Sequence, residues 1–160
     1  MGGDWKQWWR RFLSLSTGRY RRARELLKQR YLEELRHAER LREHAARMQY
    51  PQFRQKLLDI AAEETKHAEW IAARIRLLGG EPPPFKPPPV SGRNSWQYLL
   101  LDLEEEGRCG ARLQDEIRTL EPELPEIGGL LDRIRKDDEK HRQEIREMLM
   151  RSDPQALWPA

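Results

Sequence analysis

Apolar residues recur at alternating spacings of three and four along four long stretches of this chain, the signature of helices that bury one face. The first reads Leu27, Tyr31, Glu34, Ala38, Leu41, Ala45, Met48 and predicts a helix from about Arg19 to Met48. Pro51 ends it, because proline lacks the amide proton and crowds the preceding residue. A second helix, from about Gln52 to Leu78, carries Phe53, Leu57, Ile60, Ile71 and Leu78 and stops at Gly79-Gly80. The third follows Ser95, a fair N-cap, with the seam Trp96, Leu99, Leu103, Glu106, Gly110, Leu113, Ile117, Leu120. Pro122, Pro125 and Gly128-Gly129 predict a connection, and a fourth helix starts at Ile127 or Leu130 and carries Leu131, Ile134, Asp138, His141, Ile145, Met148. The fold class is therefore all-α: an antiparallel four-helix bundle over residues 19–151, with an irregular tail at 152–160.

Two segments depart from that grammar. Residues 80–94 contain Pro82, Pro83, Pro84, Pro87, Pro88 and Pro89 and favour extended polyproline geometry. At roughly 3 Å per residue such a segment runs most of the length of a bundle, so it predicts one long crossover between two hairpins. Residues 1–18 hold an extra amphipathic helix: Trp5, Trp8, Trp9, Phe12 and Leu13 share one face, opposed by Lys6, Arg10 and Arg11. Asp4 is its expected N-cap, and Ser14 to Gly18 are expected to separate it from the bundle.

Composition narrows the function classes. Charged residues make up 36% of the 160 residues, yet 30 Lys+Arg against 27 Asp+Glu leave a net charge of only +3 with both signs interspersed. No concentrated basic face results, so nucleic acid is not an expected partner. The single cysteine, Cys109, excludes a disulfide framework and cysteine-based zinc or iron–sulfur sites. A reduced, cytoplasmic compartment follows as the default. No run of about 18 apolar residues is present, so no membrane span is expected.

The chemistry lies in the polar members of the seams. Glu34, Glu64 with His67, Glu106, and Asp138 with His141 all occupy positions that should be apolar. Residues three apart share a helix face, so each carboxylate-x-x-His pair points the same way. The residues also lie at matching distances from the turns of their hairpins, which puts them at one level of the bundle. Burying a carboxylate costs several kcal/mol unless it is paired or bound to metal. One carboxylate from each of two helices, plus a carboxylate-x-x-His pair from each of the other two, is a dinuclear iron or manganese constellation. Hard carboxylates and imidazole suit those ions. His37 and His44 fall on the flank of the first seam and are expected to be solvated or to support ligands. Glu104 and Glu105 are expected on a solvated face, Cys109 in a small core or groove position, and Tyr31 in packing.

The segments Glu34-Leu-Arg-His-Ala, Glu63-Glu64-Thr-Lys-His67-Ala-Glu, Leu103-Glu-Glu-Glu106 and Asp137-Asp138-Glu-Lys-His141 resemble the ligand motifs of the ferritin-like superfamily, close to its bacterioferritin and rubrerythrin branch. The resemblance spans about Arg19 to Arg151 and implies a ferritin-like bundle holding two iron ions, with manganese as the alternative. It further implies that Glu64 and Glu106 bridge the ions, with Glu34 and His67 on one and Asp138 and His141 on the other. Dioxygen or peroxide, an electron donor of unspecified identity and further copies of the chain are the implied partners. Asp138 stands where the family usually has Glu. Thr65 replaces the haem-ligating Met of bacterioferritins, so no haem is expected, and Leu41 replaces a Tyr. One cysteine cannot build the rubredoxin module of rubrerythrins.

Two function classes stay open at this level. One is an oxidoreductase of ferroxidase or peroxidase type, oxidising ferrous iron or reducing dioxygen or peroxide at a carboxylate-bridged site. The other is a non-catalytic scaffold that recruits a partner or membrane through its N-terminal helix. The aromatic face of residues 5–13 has three destinations, namely the protein itself or its oligomer, a partner protein, or an anionic membrane surface, which would make the protein peripheral to that membrane.

Overall fold

The computed structural model describes residues 4–87, 89 and 92–154, with side chains from Gly18 onward. Four helices fill most of that length: α1 (Asp4–Ala46), α2 (Pro51–Leu77), α3 (Ser95–Leu120) and α4 (Pro125–Met150). α1 packs along α2 and α3 along α4, with narrower contacts between α1 and α3 and between α2 and α4. The result is the expected pair of hairpins joined by a crossover without regular structure in its described part, 81–87, 89 and 92–94.

Several boundaries differ from the sequence reading, each for a local reason. The expected break at Ser14–Gly18 is absent, and the backbone stays helical through it. Serine, threonine and one glycine cost a helix only some tenths to about 1 kcal/mol each, too little to interrupt a helix flanked by Leu- and Arg-rich turns. What the side chains of residues 5–13 cover lies outside the described residues, as does the tail from 155. Asn94, rather than Ser95, caps α3, its side chain accepting the Gln97 amide proton at 2.8 Å. Ser95 becomes the first helical residue and accepts the Gln49 amide proton at 3.1 Å, which ties α3 to the α1–α2 turn. α4 begins at Pro125, because proline is well suited to the first helical turn, and Gly128-Gly129 lie inside the helix. A Cβ on Gly128 would come within 2.8 Å of the Glu121 backbone. The glycine therefore permits a close approach and does not mark a loop. Gly79, at φ 73°, terminates α2 as a glycine in the left-handed region does.

The core is divided. One apolar cluster holds Leu27, Ile71, Ile75, Leu113, Ile117 and Ile134 with their neighbours. The other holds Leu41, Phe53, Leu57, Ile60, Leu99 and Ile145 with theirs. On every helix the gap between the two clusters is filled by ionisable residues. Glu34 sits between Leu27 and Leu41, Glu64 and His67 between Ile60 and Ile71, Glu106 between Leu99 and Leu113, and Asp138 and His141 between Ile134 and Ile145. Apolar burial on both sides of a polar layer thus holds that layer in register.

Candidate metal centre

All six seam residues are buried. Glu64 and His67 are 1% exposed, Glu106 2%, Glu34 and His141 3% and Asp138 6%. Donor atoms of Glu34, Glu64, His67 and Asp138 lie within 4.8 Å of one another, and so do those of His37, Glu64 and Glu106. The two groups share Glu64. They differ from the expected pairing in two respects: Asp138 joins Glu34 and His67, and His37 faces Glu106, with Nδ1 3.5 Å from Oε1. The imidazole of His141 is engaged at both nitrogens, Nδ1 at 2.9 Å from Glu64 Oε1 and Nε2 at 2.8 Å from Glu63 Oε2. His67 Nδ1 faces Glu64 at 3.5 Å, Glu34 at 3.6 Å and Asp138 at 3.7 Å, while its Nε2 faces Asp137 at 3.5 Å.

Several neighbours escaped the sequence reading. Arg30 is wholly buried and bonds Glu116 through Nε at 3.0 Å and Nη2 at 2.9 Å, with Glu33 at 3.1 Å and Glu34 at 3.9 Å from Nη1. Asp102, one turn before Glu106, pairs with His44 Nδ1 at 2.8 Å, and the His44 ring stacks on Tyr98. His37 and His44 are therefore not solvated, being 6% and 1% exposed. Leu27, Arg30, Glu34, His37, Leu41, His44 and Met48 follow three-four spacing as faithfully as the seam that was read, and α1 buries both sets in part. Glu105 is half-buried against Arg40 and Arg108 rather than solvated. Cys109 is buried as expected, and that burial pushes its thiol up to about 12.

Electrostatics follow from removing four carboxylates from water together. Burial and the charge of Glu64 hold Glu34 and Glu106 well above the usual carboxylate range. The same two causes raise Asp138 to about 7. Burial also opposes ionisation of Glu64, but hydrogen bonding from His141 and the close approach of His67 outweigh it and hold that carboxyl well below its usual value. Burial would lower His67, yet Glu34 and Glu64 raise it to about 10. For His37 burial wins and the imidazole is lowered.

A metal fits this layer on the evidence of its own atoms. Glu64 Oε2, both Glu106 oxygens, Asp138 Oδ1 and His67 Nδ1 are buried without a hydrogen-bond partner. Buried polar groups left unpaired cost roughly 1–3 kcal/mol each, more when charged, so five converging on one level call for a cation. Two partly enclosed openings reach it. One, of about 250 Å³ between α2 and α4, is lined by Asp59, Glu63, His67, Trp70, Asp137 and His141 among others. The other, of about 280 Å³ between α3 and α4, is floored by Glu106 and Asp138.

A four-helix bundle with a buried layer of carboxylates and imidazoles defines the class of protein. The chain belongs to the Ferritin family of ferritin-like domains, which matches residues 42–152. A 3-demethoxyubiquinol 3-hydroxylase of Acidovorax sp. (strain JS42) is 35% identical over 102 residues, 57% of this chain and 49% of that protein. A protein of the same name from Paracidovorax citrulli (strain AAC00-1) is 24% identical over 106 residues, 60% and 52% respectively. The chain spans about half the length of these curated relatives. Among solved structures, the bacterioferritin of Desulfovibrio desulfuricans, described with its diiron site in different catalytic states, matches with a TM-score of 0.76 at 22% identity over 84% of this chain and 81% of that one.

Proposed function

We propose that this chain is an iron-dependent oxidoreductase whose buried layer holds two iron ions, with manganese as the alternative, and uses dioxygen or peroxide. The observation that carries the reading is the convergence of unpartnered carboxylate oxygens from α2, α3 and α4 on one level. Glu34, Glu64, His67, Glu106, Asp138 and His141 would hold the ions, Glu64 being shared, and His37 lies close enough to join them. Two bound ferrous ions supply the electrons and coordination sites that dioxygen chemistry needs. The chain's own part is to orient and to keep water out. Arg30 binds Glu116 and Glu33 and stands 3.9 Å from Glu34, Glu63 holds His141 through Nε2 so that Nδ1, now against Glu64, is the nitrogen a metal would take, and Asp137 faces His67 Nε2. Thr65, where bacterioferritins place a haem-ligating methionine, bonds its own helix at the Ala61 carbonyl at 2.9 Å, so haem forms no part of the proposal.

The relatives' name supports hydroxylation of a quinol-type ring. In that reaction a ring C–H becomes C–OH, the second oxygen atom of dioxygen leaves as water, and two electrons and two protons come from a separate donor. A second reading, oxidation of ferrous iron, is supported by the carboxylates Asp59, Glu63, Asp137 and Glu144, which stand beside Lys66, Arg133 and Lys140 in the opening between α2 and α4 that leads to His67 and His141. Stopped-flow absorbance after mixing the diferrous protein with dioxygen or hydrogen peroxide tests both. Oxidation well above the rate of free ferrous iron in the same buffer is expected, and an equal rate would favour a non-catalytic scaffold instead.

A further inference from the structure

From the shape of the α3–α4 face we propose that a groove there, distinct from the opening between α2 and α4, is the binding port for an organic substrate, a small planar ring bearing hydroxyl groups. This rests on the reading of the centre as an oxygen-using iron site. The groove's wall is Gly107, Gly110 and Ala111 on α3, and its floor is Glu106 and Asp138. A Cβ placed on Gly107 or Gly110 would meet nothing within 4 Å. Neither glycine is required by packing or by backbone angle, unlike Gly128 and Gly79. Glycine is also the poorest helix former after proline. Two of them four residues apart within a 26-residue helix therefore weaken it with no structural return except open space.

The open space ends on a ligand-seeking group. Glu106 is 2% exposed, both of its carboxylate oxygens lack hydrogen-bond partners, and it lines the groove together with Asp138, whose Oδ1 is also unpartnered. At the rim the buried Arg142 Nε–H has no acceptor, and the Gln114 amide adds further hydrogen-bonding capacity. Those groups suit hydroxyl or carbonyl oxygens on a ring slotted against bare glycine backbone. At about 280 Å³ the groove falls just below the roughly 300–1,000 Å³ of organic-ligand pockets. It admits a single ring and excludes a dinucleotide. The ring would thus enter past the glycines of α3, by a route separate from the opening between α2 and α4.

The test uses methylhydroquinone as probe, with equilibrium dialysis under anaerobic conditions on metal-free and diferrous protein. Wild type should bind saturably in both forms. Gly110→Leu, which fills the groove with a good helix former, should bind at least ten-fold more weakly while taking up as much iron as wild type. Gly110→Ala should keep the affinity and melt at a higher temperature, and Arg142→Gln should weaken binding without changing iron content. Wild type that binds no probe, or Gly110→Leu that binds as wild type does, would overturn the proposal. Iron content judges the other claim separately: a wild type that takes up no iron defeats the reading of the centre, while the metal-free dialysis still decides the groove.

Discussion

At the scale of single residues, the layer is a set of charges whose costs are met only jointly. Arg30 is the plainest case, a fully buried guanidinium with Glu33, Glu34 and Glu116 around it. Removing one partner of a buried ion cluster strands the others and typically costs 3–5 kcal/mol. Arg30→Ala should therefore lower stability by about that much in urea titrations, and a loss under 1 kcal/mol would show that Glu116 reaches water instead. The titrating groups give a pH prediction of definite sign. Asp138, raised to about 7, and His67, raised to about 10, bind more protons folded than unfolded. The contribution of Asp138 is present below about pH 4 and lost as pH rises through 7, and that of His67 is present below about 6.5 and lost through 10. Metal-free protein should thus melt progressively lower from pH 6 to pH 10 in differential scanning calorimetry. A flat or rising profile would contradict the protonated layer. Metal binding displaces the same protons, so iron affinity should rise with pH over that window. Of these residues, the six seam candidates were legible because a carboxylate in an apolar stripe stands out. His37 and His44 were placed on the flank of the first seam with solvated and supporting roles both open, while Arg30 and Asp102 went unread, since they obey a parallel three-four register that the apolar residues of α1 and α3 share with the seam.

Between elements, contact distance decides what periodicity could not. The pattern of apolar positions located α2, α3 and α4 to within a few residues, since burial of one face dominates helix stability in a packed bundle, but it began the first bundle helix at Arg19 where α1 runs unbroken from Asp4. It misplaced the ends governed by caps and close approaches. Asn94 and Ser95 are both good cap residues, and the choice between them fell to Ser95 having a second partner, the Gln49 amide, across the bundle. Gly128 reads as a turn in sequence but is a contact point, with the Glu121 backbone within 2.8 Å of where a Cβ would stand. Gly128→Ala should destabilise by roughly 1–3 kcal/mol, as overpacking does, whereas Gly129→Ala, with nothing within 4 Å, should stabilise slightly. Chemical denaturation of the two variants side by side checks this, and equal effects would mean that α4 shifts to absorb the methyl.

For the whole molecule, two apolar clusters clamp a polar layer whose buried carboxylates keep oxygens without hydrogen-bond partners. A metal that binds only the folded state stabilises it by about 2.7 kcal/mol at a hundred times its dissociation constant. The iron-loaded protein should accordingly melt several degrees above the metal-free form. Asp138→Glu, which restores the longer arm usual in the family that this chain resembles, should raise iron affinity. The most direct measurement of the central claim is elemental analysis after anaerobic loading with ferrous iron. Two iron ions per chain are expected in wild type and loss of both in the Glu64→Ala, Glu106→Ala double variant; fewer than one ion per wild-type chain, or full occupancy in the double variant, would contradict a dinuclear centre in this layer.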